Sequence, residues 1–233
     1  MRKTITIDGL AVPVILARRK GTRSVKLSIS SDGRVRLSVP YGIPELAAKK
    51  FAASKVEWIK AHMKSRTELS SGMRIGKSHT LFVEHADISR PSSKISPIGI
   101  RVRLPLATDV HGDEAQDIIR KACEKALLQA ATHLLPQRVK DLSLKHGITY
   151  RSLSVKKLKS RWGACDSLNN LSLNCYLIQL EWALIDYVIC HELAHTIEHN
   201  HSDKFWDIVA HMQPHHKELR AELKSKPTDI ISA

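Results

Sequence analysis

Glu181-Trp182-Ala183-Leu184-Ile185-Asp186-Tyr187-Val188-Ile189-Cys190-His191-Glu192-Leu193-Ala194-His195 is the stretch on which the reading of this chain turns. From Glu181 to about Glu198 the residues are apolar on almost every side, which predicts a helix inside the protein. His191, Glu192 and His195 are costly to bury in such a setting unless something satisfies them. Residues four apart on a helix lie about 40° apart around its axis, so His191 and His195 project from one face and can share a cation. Glu192 falls on the flank of that face, suited to handling the proton of a water rather than to binding the metal. A zinc site built for catalysis has three protein ligands and one open position, so a third ligand is expected.

Glu198, His199 and His201 compete for that role. His199 continues the helical face if the helix runs on, Glu198 does so less directly, and His201 lies just past the expected helix end at Asn200. His201 is favoured, because a ligand approaching from off the helix axis is easier to supply once the chain has turned away. The spacing follows H-E-x-x-H-x-x-G-x-x-H, although Glu198 stands where that arrangement has Gly and no Met-turn is evident. Ser202 then reads as the N-cap of a further helix bearing Phe205 and Trp206. His211, His215 and His216 read as surface residues close by, and Cys190 as a small buried group pointing elsewhere on the helix.

Working upstream, Leu171, Leu173 and Cys175 alternate with Ser172 and Asn174 in a strand run ending near Leu180, whose edge is a candidate for holding an extended peptide. Strand pattern starts at Thr149. Before it, a helix is expected from Asp113, which caps it, through Ile118, Ala122, Ala126 and Leu127 towards Leu134, with Pro136 breaking or kinking it. The first hundred residues read mostly as strands: Val25, Leu27 and Ile29, then Val35, Leu37 and Val39, alternate with polar residues around the turn Ser30-Ser31-Asp32-Gly33, a hairpin. A helix over residues 44–65 follows, with Leu46, Phe51, Trp58 and Ile59 as buried positions and Pro44 in its first turn. Short strands are expected at 80–83 and 100–104, with a Ser- and Pro-rich loop at 88–97 between them. No internal repeat is visible. The expected organisation is a β-rich part with one helix over 1–112, a hydrolase domain over 113–226 and a loose tail over 227–233.

With 37 Lys+Arg against 23 Asp+Glu, a formal charge of +14 favours anionic partners, nucleotides and nucleic acid among them. Cys123, Cys165, Cys175 and Cys190 form no C-x-x-C pair and the N-terminus has no apolar signal core, so a reducing cytoplasm is the expected setting. No stretch approaches the ~20 apolar residues a membrane span needs.

Ser160-Arg161-Trp162-Gly163-Ala164-Cys165, Asn170-Leu171-Ser172-Leu173-Asn174, the His191 to His195 segment and Asn200-His201-Ser202 with Phe205-Trp206 together resemble the YgjP-like metallopeptidase family. The resemblance implies an α+β, zincin-like fold: an H-E-x-x-H helix packed on a small antiparallel sheet and preceded by a β-rich N-terminal part. It implies zinc on His191, His195 and His201, with Glu192 as general base. Kinship with SprT-like proteases points to peptide-bond chemistry and, weakly, to nucleic acid. The family is also associated with hydrolysis of UTP to UMP and pyrophosphate. Where the family motif usually reads Gly-Ser-Cys, this chain has Gly163-Ala164-Cys165 and lacks the hydroxyl.

The leading expectation is therefore a metallopeptidase acting on a peptide or protein, with Arg161 and Asn174 as candidate substrate-binding residues. A nucleoside-triphosphate pyrophosphatase is the second, favoured by the basic run Arg151, Lys156, Lys157, Lys159 and Arg161. A nucleic-acid-binding protein with a structural zinc is the third, although structural sites are usually closed and cysteine-rich.

Overall fold

The computed structural model describes residues 2–19, 21, 24–29, 35–62, 68–226 and 228. The chain divides into two compact units, Met1–Arg66 and Thr67–Ala233. The boundary expected after residue 112 falls earlier because the strands between 74 and 105 share one hydrophobic core with the long helix that follows them.

The first unit holds β1 (Arg2–Ile5), β2 (Val14–Arg19), β3 (Lys26–Ile29) and β4 (Val35–Pro40) in the order β1-β2-β4-β3. β3 and β4 pair antiparallel, with Leu27 opposite Leu37, as the alternation predicts; the turn at 30–34 lies outside the described residues. β4 also runs parallel to β2, and its Val35, Leu37 and Val39 are fully buried. The helix expected over 44–65 is two, α1 (Glu45–Ala53) and α2 (Val56–His62), with Pro44 at the N-cap and residues 63–65 outside the described ones. Across the break at Ser54 and Lys55 the buried positions keep spacings of four and seven residues, one helical face. Ala48, Ala52 and Ile59 are buried on that face, Phe51 is half-buried, and Leu46 and Trp58, which lie off it, stay exposed.

In the second unit β5 (Arg74–Ile75), β6 (His79–Ala86), β7 (Ser92–Ile95) and β8 (Gly99–Pro105) form a sheet in the order β5-β6-β8-β7. Its connectivity repeats that of the first sheet: β6 and β8 run parallel, and the β7–β8 hairpin inserts its second strand beside β6. β7 occupies the stretch expected to be a loop. Ser92, Ser93 and Lys94 are exposed on this edge strand and only Ile95 reaches the core, so the sequence has no apolar alternation there.

α3 (Asp113–His146) covers this sheet. Its N-cap is Gly112; Asp113 stands one position inside, where with Glu114 it meets the positive end of the helix dipole instead of capping it. The helix passes Pro136 and buries Leu135, Val139 and Leu142, each fully buried Leu contributing about 1.5–3 kcal/mol, comparable to the cost of an interior proline. It ends at Gly147, whose left-handed φ of 64° lets its N–H reach the Leu144 carbonyl.

β9 (Ser152–Lys156), β10 (Gly163–Cys165) and β11 (Asn170–Asn174) make a third sheet, ordered β10-β11-β9. It is mixed, not antiparallel as expected, because β9 and β11 run parallel while β10 and β11 are antiparallel. β11 is paired on both sides and cannot lend an edge to a peptide; that edge belongs to β10. The strand run stops at Asn174, whose side chain accepts the N–H of Tyr176 and starts a 3-10 turn over Cys175–Gln179. α4 (Trp182–Ala194), α5 (Asp203–Met212) and α6 (His216–Ser225) complete the unit, with α4 against α3, β10 and β11. No described helix is long and apolar enough to cross a membrane.

Candidate metal centre

α4 ends at Ala194, a turn earlier than its apolar pattern suggests. The Thr196 hydroxyl donates to the Leu193 carbonyl at 2.8 Å and the Thr196 and Ile197 N–H groups bond Leu193 and Ala194, which folds the chain over and away from the axis. The Glu198 carbonyl then lies 3.2 Å from Nδ1 of His195, and the turned chain carries His201 back over α4. Ser202 caps α5 as expected, accepting the N–H of Phe205.

The ligand nitrogens of His191, His195 and His201 lie within 4.8 Å of one another, and no other described His, Cys, Asp or Glu side chains gather so closely in threes. Nε2 of His191 and Nε2 of His201 face each other at 3.2 Å. Two ligands of a tetrahedral zinc at ~2.05 Å stand about 3.3 Å apart, so this gap has the right width. With its Nδ1–H donated to Glu198, His195 keeps the Nε2 lone pair free for a cation. Burial, reinforced by the neighbouring His195 and His201, brings the pKa of His191 down to about 3 and holds its ring neutral, the form that binds metal. His191 Nδ1 is buried without a hydrogen-bond partner among the described residues. The donor set and its spacing fit zinc.

Glu198 and His199 do not join the cluster. The Glu198 carboxylate accepts the N–H of Asn200 within the turn, and His199 is exposed. Of the downstream histidines, His211 and His215 are exposed as expected. His216 is buried and stacks on Trp206 at 6.0 Å, behind the centre.

Glu192 is 6% exposed, and burial pushes its carboxyl up to about 8 against the opposing charge of Arg161. Its side chain lies across Gly163 of β10: a Cβ there would stand 2.6 Å from both Cγ and Oε1 of Glu192. Gly163 has no positive φ, so the requirement is for space. Cys165, two residues along the same strand face, is half-buried, its thiol raised to about 11 by burial and then by Glu192 and Asp166.

Asn174, expected to touch substrate, is fully buried. Its amide donates to the Leu158 and Arg161 carbonyls, both at 2.9 Å, and its oxygen accepts from Tyr176. Asn174 therefore fixes the loop that carries Arg161. Arg161 itself is an exposed cation whose field reaches Glu192. The basic run proposed for a triphosphate does not converge, because Lys157 turns to Glu124 of α3 and Arg151 acts on Asp166. Trp162 is half-buried against the core.

Sequence alone gives Phe205 and Trp206 no role beyond their place in α5. The fully buried Phe205 ring floors the centre, with its centroid 4.9, 4.4 and 4.8 Å from those of His191, His195 and His201. The signal was there: a Phe-Trp pair three residues past a capping Ser must enter α5 directly beside His201.

No curated protein matches the chain. Among solved structures it is similar to the metallopeptidase zymogen of Pyrococcus abyssi abylysin, at 22% identity over 40% of this chain and 97% of the other, with a TM-score of 0.36. It is similar also to the metallopeptidase zymogen of Methanocaldococcus jannaschii jannalysin, at 22% identity over 37% and 89%, with a TM-score of 0.34. The sequence profile of the YgjP-like metallopeptidase domain matches residues 23–226, and the chain belongs to that family.

Proposed function

We propose that this protein is a zinc-dependent peptidase of zincin-like architecture in which Glu192 is the general base. The observation that carries the reading is the convergence of three imidazole nitrogens beside a buried carboxylate. His191, His195 and His201 would hold the ion. Zinc on three neutral imidazoles supplies a Lewis acid with one open position, polarising a carbonyl and lowering the pKa of water towards ~7. Glu192 takes the proton of the attacking water and hands it to the departing amine. Its raised pKa suits the second half of that task and the nearby charge of Arg161 the first. Arg161, an exposed cation close enough to act on Glu192, would answer negative charge building on the substrate oxygen. The unpaired edge of β10, beside α4, offers backbone groups to an extended peptide.

The test is Glu192→Gln in zinc-loaded protein, assayed on casein and on a nucleoside-triphosphate panel. Peptide cleavage should fall by at least ~100-fold with zinc retained. Undiminished cleavage refutes the role of Glu192, and Glu192-dependent release of pyrophosphate without peptide cleavage replaces the peptidase reading.

A further inference from the structure

The three histidines are held in different ways. His191 is half-buried within α4, with Phe205 edge-on at 4.9 Å and Trp206 tilted at 5.9 Å, and His195 is held by its bond to the Glu198 carbonyl at 3.2 Å. His201 is exposed, lies outside any helix, and among the described residues nothing hydrogen-bonds its Nδ1. Metal-binding histidines are normally oriented by a hydrogen bond from the second ring nitrogen. For His201 the restraint is aromatic. The Trp206 ring stacks on it with centroids 5.7 Å apart and planes 28° apart, while Phe205 meets it edge-on at 4.8 Å.

Trp206 is itself clamped from α6. His216 stacks on it at 6.0 Å and 20°, and the Arg220 guanidinium lies 4.4 Å from its centroid. His216 is anchored in turn through Nδ1 to the Gln213 carbonyl at 3.2 Å. A continuous stack thus runs from α6 through α5 to the third ligand. An imidazole free to rotate about its side-chain bonds gives up rotamer entropy when it binds a metal; one already held against a flat ring does not.

We infer that Trp206 is a positioning residue for His201, replacing the usual hydrogen bond with a ring face, so that α6 sets the affinity of the centre for its metal. The inference rests on His201 being a ligand, and that premise is tested separately.

The experiment measures zinc affinity by competition with a chromophoric chelator, together with the visible spectrum of the cobalt-loaded form, for wild type, Trp206→Phe, Trp206→Leu, Trp206→Met and His201→Ala. Circular dichroism of each metal-free form checks the fold. Leu and Met should weaken zinc by ~10-fold or more, as loss of a ligand's supporting contact does, and should alter the cobalt spectrum. Phe, which keeps a ring face, should stay within ~3-fold. Wild-type affinity and spectrum in the ringless variants overturn the inference, as does equal weakening in all three Trp206 variants. Metal-free forms of both Leu and Met that no longer fold also overturn it, since Trp206 would then be a prop of the core. If His201→Ala keeps zinc at wild-type affinity, the ligand assignment itself fails; if it loses zinc while Leu and Met do not, only the role of Trp206 fails.

Discussion

Replacing Gly163 by alanine tests the geometry of the centre more sharply than removing any of its polar groups. The added methyl carbon would meet Glu192 at 2.6 Å from Cγ and Oε1 and at 2.8 Å from Cδ. Ordinary contact between such atoms begins near ~3.4 Å, so the carboxyl must retreat by about 0.8 Å or β10 must yield. β10 is not free to do so, being bonded to β11 and packed against α4. A displacement of about 1 Å in a reacting group costs on the order of 100-fold in rate, equivalent to ~2.7 kcal/mol of activation free energy. The histidines are not touched by the new methyl group, so Gly163→Ala should bind zinc within ~3-fold of wild type while kcat on a fluorogenic peptide falls about 100-fold. Competition titration and steady-state kinetics on the same preparation decide the matter. Wild-type kcat, or a loss of zinc in step with activity, would refute the role given to Gly163 as the seat of Glu192.

Removing the metal should destabilise the second unit. At free zinc ~100 times its dissociation constant the loaded form gains ~2.7 kcal/mol, roughly 5–10 °C in Tm, and identical melting of chelated and loaded protein would contradict the site. Asn174→Ala leaves the Leu158 and Arg161 carbonyls and the Tyr176 N–H without their partners and should cost about 3 kcal/mol in urea unfolding. An effect on KM alone would restore Asn174 to substrate binding. With its thiol raised from 9.0 to about 11, Cys165 should react with iodoacetamide at pH 8 ~100-fold more slowly than an unperturbed cysteine. Glu192→Gln, which removes a negative neighbour, should quicken that reaction; a normal rate in the wild type would show that the burial is breached in solution.

What the sequence discloses here is what local chemistry controls. The apolar α4 with His191, Glu192 and His195, the cap at Ser202 and the β3–β4 hairpin each depend on residues within a few positions of one another. The rest depends on distant partners. β7 forms because β8 offers it an edge, although Ser92, Ser93 and Lys94 alone read as loop. α3 survives Pro136 through packing on both of its sides, and the β5–β8 sheet belongs with α3 because the two share a core. Leu46 and Trp58 point outward because the face that meets the core carries the small Ala48 and Ala52 together with Ile59. Asn174 looked exposed on an alternating strand, yet the loop that it holds had to fold back over it before its amide was engaged.

The connectivity shared by all three sheets bears on how the chain acquires its shape. In each, one strand waits while the next two close as a hairpin, and the hairpin's second strand then slots in beside it in parallel. The parallel partners are only about twenty residues apart, so each loop closure is modest, and a hairpin that zips in ~1–10 μs can dock as a preformed piece. Each sheet can thus assemble from a contiguous stretch as it leaves the ribosome. The β9–β11 sheet that backs the centre is finished before α4, α5 and α6 have been made. The three histidines arrive after it, onto a platform already in place, and α5 and α6 close over them last.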